Sequence, residues 1–228
     1  MRLLIILCFF TLISCATQKK EPMSDVGFVH LALGDSYTIG EAVNVDERWP
    51  VQLAHRLRKD SIKIDPVIVA TTGWTTDELI SGIVKADVEG PYDFVTLLIG
   101  VNNQYRGYPI DQYEREFKQL LDQAIKFAGG NPYNVMVVSI PDYGVTPFAK
   151  KKLLDADKIA RELDNYNAIA EKISKLRDVQ FIDITPGSKK AKDNSSLIAS
   201  DGLHPSGKMY KMWVDQMYDH VFNNLSSR

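Results

Sequence analysis

Five short runs of apolar, mostly β-branched residues punctuate the chain: Phe28–Leu33, Ile64–Ala70, Phe94–Ile99, Asn134–Ile140 and Val179–Ile184. Each is nearly continuous in apolar residues, the pattern of a strand covered on both faces. Between these runs, apolar positions return at helical spacing. Trp49, Leu53 and Leu57 form one set, and Leu79, Ile80 and Ile83 a second. Phe117, Leu120, Leu121, Ala124 and Ile125 form a third, stopped by Gly129-Gly130; Ile159, Leu163, Ile169 and Ile173 form a fourth. A last set runs from Pro205 through Met209, Trp213, Met217 and Val221, with Pro205 expected at the first helical position. Strands alternating with helices build right-handed βαβ units around a parallel sheet. The expected class is α/β: a three-layer α/β/α sandwich with a five-stranded parallel, flavodoxin-like sheet.

One apolar run stands outside this alternation. Met1-Arg2 precedes a twelve-residue stretch, Leu3 to Ser14, followed by Cys15. A positive start and about 7–15 apolar residues make a signal-peptide pattern, and the run falls short of the about 20 residues of a membrane span. Its ending, Leu12-Ile13-Ser14-Cys15, resembles the lipobox of bacterial lipoproteins, where cleavage precedes the cysteine and the thiol is acylated. The resemblance implies a signal peptide over 1–14, a lipid-anchored tether over 15–26 and a folded domain over 27–228. It places lipid on Cys15 and the protein in the bacterial cell envelope, at the outer membrane if the source is Gram-negative. A periplasmic or secreted protein is the alternative.

The composition narrows the function classes. With 228 residues, 45% hydrophobic and 25% charged, the chain is long enough to bury one sizeable core and carries no signature of disorder. Lysine and arginine number 27 against 29 acidic residues, so the basic footprint of nucleic-acid binding is missing. The two cysteines, Cys8 and Cys15, both precede the folded part, which excludes a disulfide scaffold and a cysteine-built zinc site. His30, His55 and His220 fall in an expected strand or on helices, and no HExxH pattern occurs. No metal and no cofactor is expected. The Lys150–Lys152 run reads as a solvated loop.

Ligand sites in open α/β sheets lie beyond the carboxyl ends of the strands, so the residues there carry the functional reading. After the first strand comes Gly34-Asp35-Ser36-Tyr37-Thr38-Ile39-Gly40. Its serine can project a hydroxyl and a backbone amide into a cleft; alone, the block reads first as an ordinary strand-to-helix turn with Ser36 as N-cap. After the second comes Thr71-Thr72-Gly73-Trp74-Thr75-Thr76-Asp77-Glu78. Gly73 allows close backbone approach to a ligand, and Thr75 or Thr76 can cap a helix with Glu78 completing a capping box. After the third comes Gly100-Val101-Asn102-Asn103, where Asn102 can donate its amide into the cleft or simply serve a turn. The last block is Asp201-Gly202-Leu203-His204-Pro205. Together these put a serine, two amide-type donors and an Asp-His pair at one end of one sheet. That set supplies a nucleophile, an oxyanion hole and a general base with its orienting acid.

These four blocks, in this order, resemble those of the SGNH hydrolases, also called GDSL esterases/lipases. The resemblance spans about residues 28–206. It implies Ser36 as nucleophile, His204 as base and Asp201 as the acid that orients it. It also implies an oxyanion hole from the Ser36 and Gly73 amides and the Asn102 side chain. Two positions depart from the family's common pattern: Tyr37 replaces a leucine, and Asn103 stands where an aspartate is frequent. Neither is one of the five implied site positions. The Gly-x-Ser-x-Gly elbow of α/β-hydrolases does not surround Ser36.

The implied reaction is hydrolysis of a carboxylic ester through an acyl-enzyme on Ser36, without a cofactor. Candidate substrates are small-molecule or glycan esters, including acetylated envelope or dietary polysaccharide. The alternatives are a lysophospholipase, lipase or thioesterase acting on longer chains, an acyltransferase, and a non-catalytic glycan-binding protein on the same fold. Pro141 to Phe148, with Tyr143 and Phe148, is a candidate pocket rim, although Phe148 suits the core equally. The sequence leaves the oligomeric state open.

Overall fold

The computed structural model describes residues 27–228, so the expected leader, the tether and Cys15 lie outside the described residues. In chain order the elements are β1 (Phe28–Gly34), α1 (Ser36–Ile39), α2 (Trp49–Lys59), β2 (Ile64–Ala70), α3 (Thr76–Lys85), β3 (Phe94–Leu98), α4 (Val101–Tyr105) and α5 (Ile110–Phe127). Then follow β4 (Val135–Val138), α6 (Pro147–Lys151), α7 (Ala156–Lys175), β5 (Gln180–Ile182), α8 (Thr185–Lys189) and α9 (Gly207–Ser226). The strands form one sheet in the order β2-β1-β3-β4-β5, every pairing parallel. This is the flavodoxin-like order, and strand order reverses between β1 and β3. Right-handed crossovers then put α2 and α9 over one face and α3, α5 and α7 over the other; α2 packs on α9, and α5 on both α3 and α7.

All of β3 and β4 is buried, and β1 is buried from His30 onward. Trp49 and Trp213 from the α2–α9 layer and Tyr113 and Phe117 from α5 fill the core on the two sides. The outer strands differ from the sequence expectation. In β2, Asp65 and Val67 are exposed, and β5 is only half-buried throughout. Each has a neighbour on one side only, which is also where Pro66 costs no ladder bond. The fourth strand is shorter than Asn134–Ile140, because Asn134 belongs to a turn closed by its amide on the Asn131 carbonyl. The last helix begins at Gly207, not Pro205. Ser206 is its N-cap, accepting from the Met209 amide at 3.3 Å, while Pro205 is held in an antiparallel bridge with Ile198. Lys150 and Lys151 are solvent-exposed as expected but end a short helix, not a loop.

Candidate active site

β1 runs into its turn so closely that Gly34 has no room for a side chain: a Cβ there would collide with Thr38 and the Leu98 carbonyl. The turn is capped by Asp35, whose Oδ1 accepts from the Tyr37 amide at 3.0 Å. Ser36 is therefore the first residue of α1 and not its cap, which leaves its hydroxyl free of a local structural bond. Ser36 is nearly buried and lines a cleft together with Gly73, Asn102 and His204. The cleft thus sits over the carboxyl ends of β1 and β3, at the reversal of strand order.

Gly73 takes a φ of +87°, a conformation open to glycine at little cost. The turn around it is fixed from several sides. Trp74 donates its amide to the Thr71 carbonyl at 3.2 Å. Asn102 Nδ2 donates to the Trp74 carbonyl at 2.9 Å, and Arg106 Nη2 donates to the Gly73 carbonyl at 2.6 Å. Thr75 begins α3 with the expected capping box, its amide donating to Glu78 Oε2 at 2.9 Å. Buried Asn103 binds the same corner: its Oδ1 accepts from the Thr76 amide at 3.0 Å and its Nδ2 donates to Thr76 Oγ1 at 2.7 Å. An asparagine here does what a carboxylate could not, since it both accepts and donates. The bond to Trp74 uses one of the two Asn102 amide hydrogens and leaves the other. The Ser36 and Gly73 amides have no acceptor among the described residues.

The Asp-His pair is held in a closed loop. The Ala199 amide donates to the His204 carbonyl at 2.8 Å and the Ser206 amide to the Leu197 carbonyl at 2.9 Å. Asp201 Oδ1 accepts from the Leu203 and His204 amides at 2.9 and 3.0 Å, and its Oδ2 lies 2.5 Å from His204 Nδ1. Burial raises the Asp201 pKa. The His204 bond and the two amides outweigh that, so the carboxyl stays below its ordinary range and is charged at neutral pH. A charged acceptor on Nδ1 fixes the tautomer with the proton there and leaves Nε2 as the basic nitrogen. The Tyr37 ring stands edge-on to the imidazole, 5.7 Å between centroids. No bond joins Ser36 Oγ to His204 among the described residues; the two meet as walls of the same cleft.

Tyr143 and Phe148 both line the cleft, as the rim reading expected, joined by Tyr105 from α4. Among the described residues, no three His, Cys, Asp or Glu side chains converge as metal ligands would. His30 is a core residue on Thr96 Oγ1 at 2.9 Å, and its burial drops its pKa to about 3. The structure thus brings Ser36, Gly73, Asn102, Asp201 and His204 to one place. Sequence reasoning missed Arg106, which carries no motif of its own and reaches Gly73 across 33 residues.

A hydroxyl, an imidazole pinned by a carboxylate and free amides around one cleft are the parts of an acyl-transfer site. The chain is similar to several known proteins. An arylesterase of Vibrio mimicus is 26% identical over 143 residues, 63% of this chain and 67% of its own. Among solved structures, TesA superposes with a TM-score of 0.66 at 14% identity, covering 86% of this chain and 99% of that one. A lipase/acylhydrolase from Enterococcus faecalis does so at 0.65 and 17%, covering 87% and 97%. A variant of Axe2, an acetyl xylan esterase from Geobacillus stearothermophilus, does so at 0.64 and 17%, covering 86% and 94%. At such identities these structures speak for the shared fold alone. Residues 32–212, a span that holds all five converging positions, match the GDSL-like Lipase/Acylhydrolase family, and the chain belongs to that family of ester-hydrolysing enzymes.

Proposed function

We propose that the protein is a serine esterase that hydrolyses short-chain carboxylic esters, acetyl esters among them, through an acyl-enzyme on Ser36. His204 Nε2 takes the Ser36 Oγ proton as Oγ bonds to the ester carbonyl carbon. The carbonyl oxygen becomes an oxyanion, held by the Ser36 and Gly73 amides and the free Asn102 hydrogen. Collapse breaks the carbon–oxygen bond, and the alcohol leaves with the proton from His204. Water repeats the sequence on the acyl-enzyme, giving the acid and free Ser36. Asp201 keeps Nδ1 protonated and stabilises the imidazolium formed in each half.

The observation that carries the short-chain reading is the size of the cleft. Ser36 and His204 open onto about 140 Å³ walled by Tyr37, Val101, Tyr143 and Phe148, well under the roughly 300–1,000 Å³ of pockets for drug-sized ligands. Apolar walls suit the methyl end of a small acyl group, and a long chain has no room among them. The test is a series of p-nitrophenyl esters from acetate to dodecanoate, run on wild type and on Ser36→Ala. Wild type should peak at the shortest acyl groups, and the folded Ser36→Ala protein should be inactive. A peak at long chains overturns the short-chain reading; activity retained in Ser36→Ala overturns the nucleophile.

We also propose that Cys15 is the acylated N-terminus of the mature protein, holding the domain at a bacterial envelope membrane. The support is Arg2, the apolar run from Leu3 to Ser14 and the Leu12-Ile13-Ser14-Cys15 ending.

A further inference from the structure

Among the described residues, the polar side chains on the cleft wall have a task or a partner, with one exception. Ser36, Asn102 and His204 carry the proposed chemistry. Thr72 donates its hydroxyl to Glu41. Tyr143 donates to Gln104 Oε1 at 2.9 Å, and Gln104 Nε2 passes the bond on to Glu162 Oε2 at 2.7 Å. Tyr105 is exposed, so water serves its hydroxyl. The exception is Tyr37.

Tyr37 is only 3% exposed. Its ring packs edge-on against the His204 imidazole at 5.7 Å and the Trp213 indole at 6.5 Å. Trp213 is itself held edge-on by Tyr210 at 5.0 Å, so the direction of the Tyr37 side chain is fixed by packing. Its hydroxyl makes no hydrogen bond among the described residues. The hydroxyls of Tyr113 and Tyr210 are also unpaired, but they are sealed in the core; that of Tyr37 is not sealed, and the space it borders is the cleft. Burial pushes its pKa well above the ordinary value, so it stays a neutral phenol that can both donate and accept.

A polar group this deeply buried costs free energy until something pairs with it. Water does so while the cleft is empty of substrate, and the acyl group that displaces this water must do so afterwards. Val101, Phe148 and Leu203 offer apolar contact only. An alkyl group therefore satisfies the walls and strands the hydroxyl, whereas a short acyl group carrying one hydroxyl satisfies both. At about 140 Å³ the cleft holds a short acyl group, which puts that hydroxyl on the carbon next to the carbonyl. A site built around a buried polar group discriminates more sharply than apolar contacts do.

We infer that Tyr37 is the specificity-determining residue of the acyl cleft and that its hydroxyl bonds a polar atom of the acyl group, so that small 2-hydroxyacyl esters, glycolyl or lactyl, are preferred over alkyl esters of the same shape. The inference rests on the short-acyl esterase reading above and names the acyl group which that reading leaves open.

The experiment pairs esters of matched shape: ethyl glycolate with ethyl propionate, and ethyl lactate with ethyl isobutyrate, followed by acid release in a pH-stat. Hydroxy esters are more reactive in themselves. The ratio of kcat/KM within each pair is therefore compared between wild type and Tyr37→Phe, which keeps the ring on His204 and removes only the oxygen. In at least one pair the ratio should fall by about fivefold or more in Tyr37→Phe, the effect of one buried hydrogen bond. A smaller fall in both pairs, or a rise, overturns the inference. So does failure to turn over either hydroxy ester by an enzyme that hydrolyses p-nitrophenyl acetate. Two unreactive amides test wild type alone. Glycolamide should compete with p-nitrophenyl acetate at an inhibition constant lower than that of propionamide by about fivefold or more, and equal constants overturn the inference. Failure to hydrolyse any p-nitrophenyl ester overturns the esterase reading itself, and the assignment of Tyr37 with it.

Discussion

Arg106 Nη2 donates to the carbonyl of Gly73 at 2.6 Å while its Nη1 sits 3.2 Å from both oxygens of Glu78. Glu78 in turn accepts from the Thr75 amide, the first of several bonds that hold its carboxyl below the ordinary range. One guanidinium therefore joins the cap of α3 to the residue whose amide is a proposed oxyanion donor. The ion pair is partly exposed, so its direct worth to stability is at most about 1 kcal/mol. Its worth to catalysis is geometric, because small misplacement of a donor is costly in rate.

Arg106→Met should lower kcat by about tenfold with KM little changed, since the effect falls on transition-state stabilisation. Arg106→Lys should recover part of the loss, because a lysine can reach one acceptor but not both with a rigid fork. Steady-state kinetics beside a thermal melt check this. A normal kcat, or a drop in Tm large enough to explain the loss, would remove Arg106 from the positioning role.

Asn102 has a more direct place in the proposed mechanism. One amide hydrogen braces the Trp74 carbonyl at 2.9 Å, and the other is the proposed oxyanion donor. Asn102→Ala should reduce kcat by about 10²–10³ with KM nearly constant, the range for losing one oxyanion donor. If KM rises and kcat holds, Asn102 binds substrate and does not stabilise the oxyanion.

The interior of the fold was the legible part of the sequence. Phe94–Leu98 and Val135–Val138 are wholly buried, and continuous apolar runs mean burial on both faces. The pattern failed where a strand lies at the sheet's edge, because Ile64–Ala70 looks alike whether one side or both are covered. The start of the last helix was misplaced for a local reason. Pro205 suits a first helical turn, but its pairing with Ile198 lies outside any local pattern, and Ser206 is the better cap. The five converging positions were visible because they stand in four short motif blocks: Ser36 opens α1, Asn102 lies in the first turn of α4, and Gly73, Asp201 and His204 lie in the loops before α3 and α9. Arg106, Tyr105 and the Gln104–Glu162 bond were not, since their partners lie on other elements and no spacing encodes them.

Location can be tested apart from chemistry. No helix among the described residues is long and apolar enough to cross a membrane; the proposed anchor is the lipid on Cys15. A single acyl chain binds membranes only marginally, and several chains at about 0.8 kcal/mol per buried CH₂ bind stably. Cys15→Ser should therefore move the protein out of the membrane fraction or block its processing. Mass spectrometry of the mature N-terminus should find a lipid-modified Cys15 in wild type. A variant that fractionates and migrates as wild type would replace the anchor with a secreted or periplasmic enzyme.

Asp35, directly before Ser36, is fully buried. Its Oδ1 caps α1, and its Oδ2 has no partner among the described residues. Burial pushes its carboxyl up to about 7, against the opposing pull of the Tyr37 amide. The unfolded chain releases this proton near about pH 4. Between about pH 4 and 7 the native state thus holds a proton that the unfolded state has lost, and native stability falls as pH rises, by up to about 1.4 kcal/mol per pH unit. Below about pH 4 both states are protonated and the contribution is fully present; above about pH 7 both are ionised and the penalty is constant. Asn at this position keeps the Oδ1 acceptor for the cap and cannot ionise. Asp35→Asn should therefore be more stable than wild type at about pH 8, with the gap closing steadily toward about pH 4. Urea unfolding of both proteins across that range measures it. Stability curves that run parallel from pH to pH would show that Asp35 does not titrate within the folded protein.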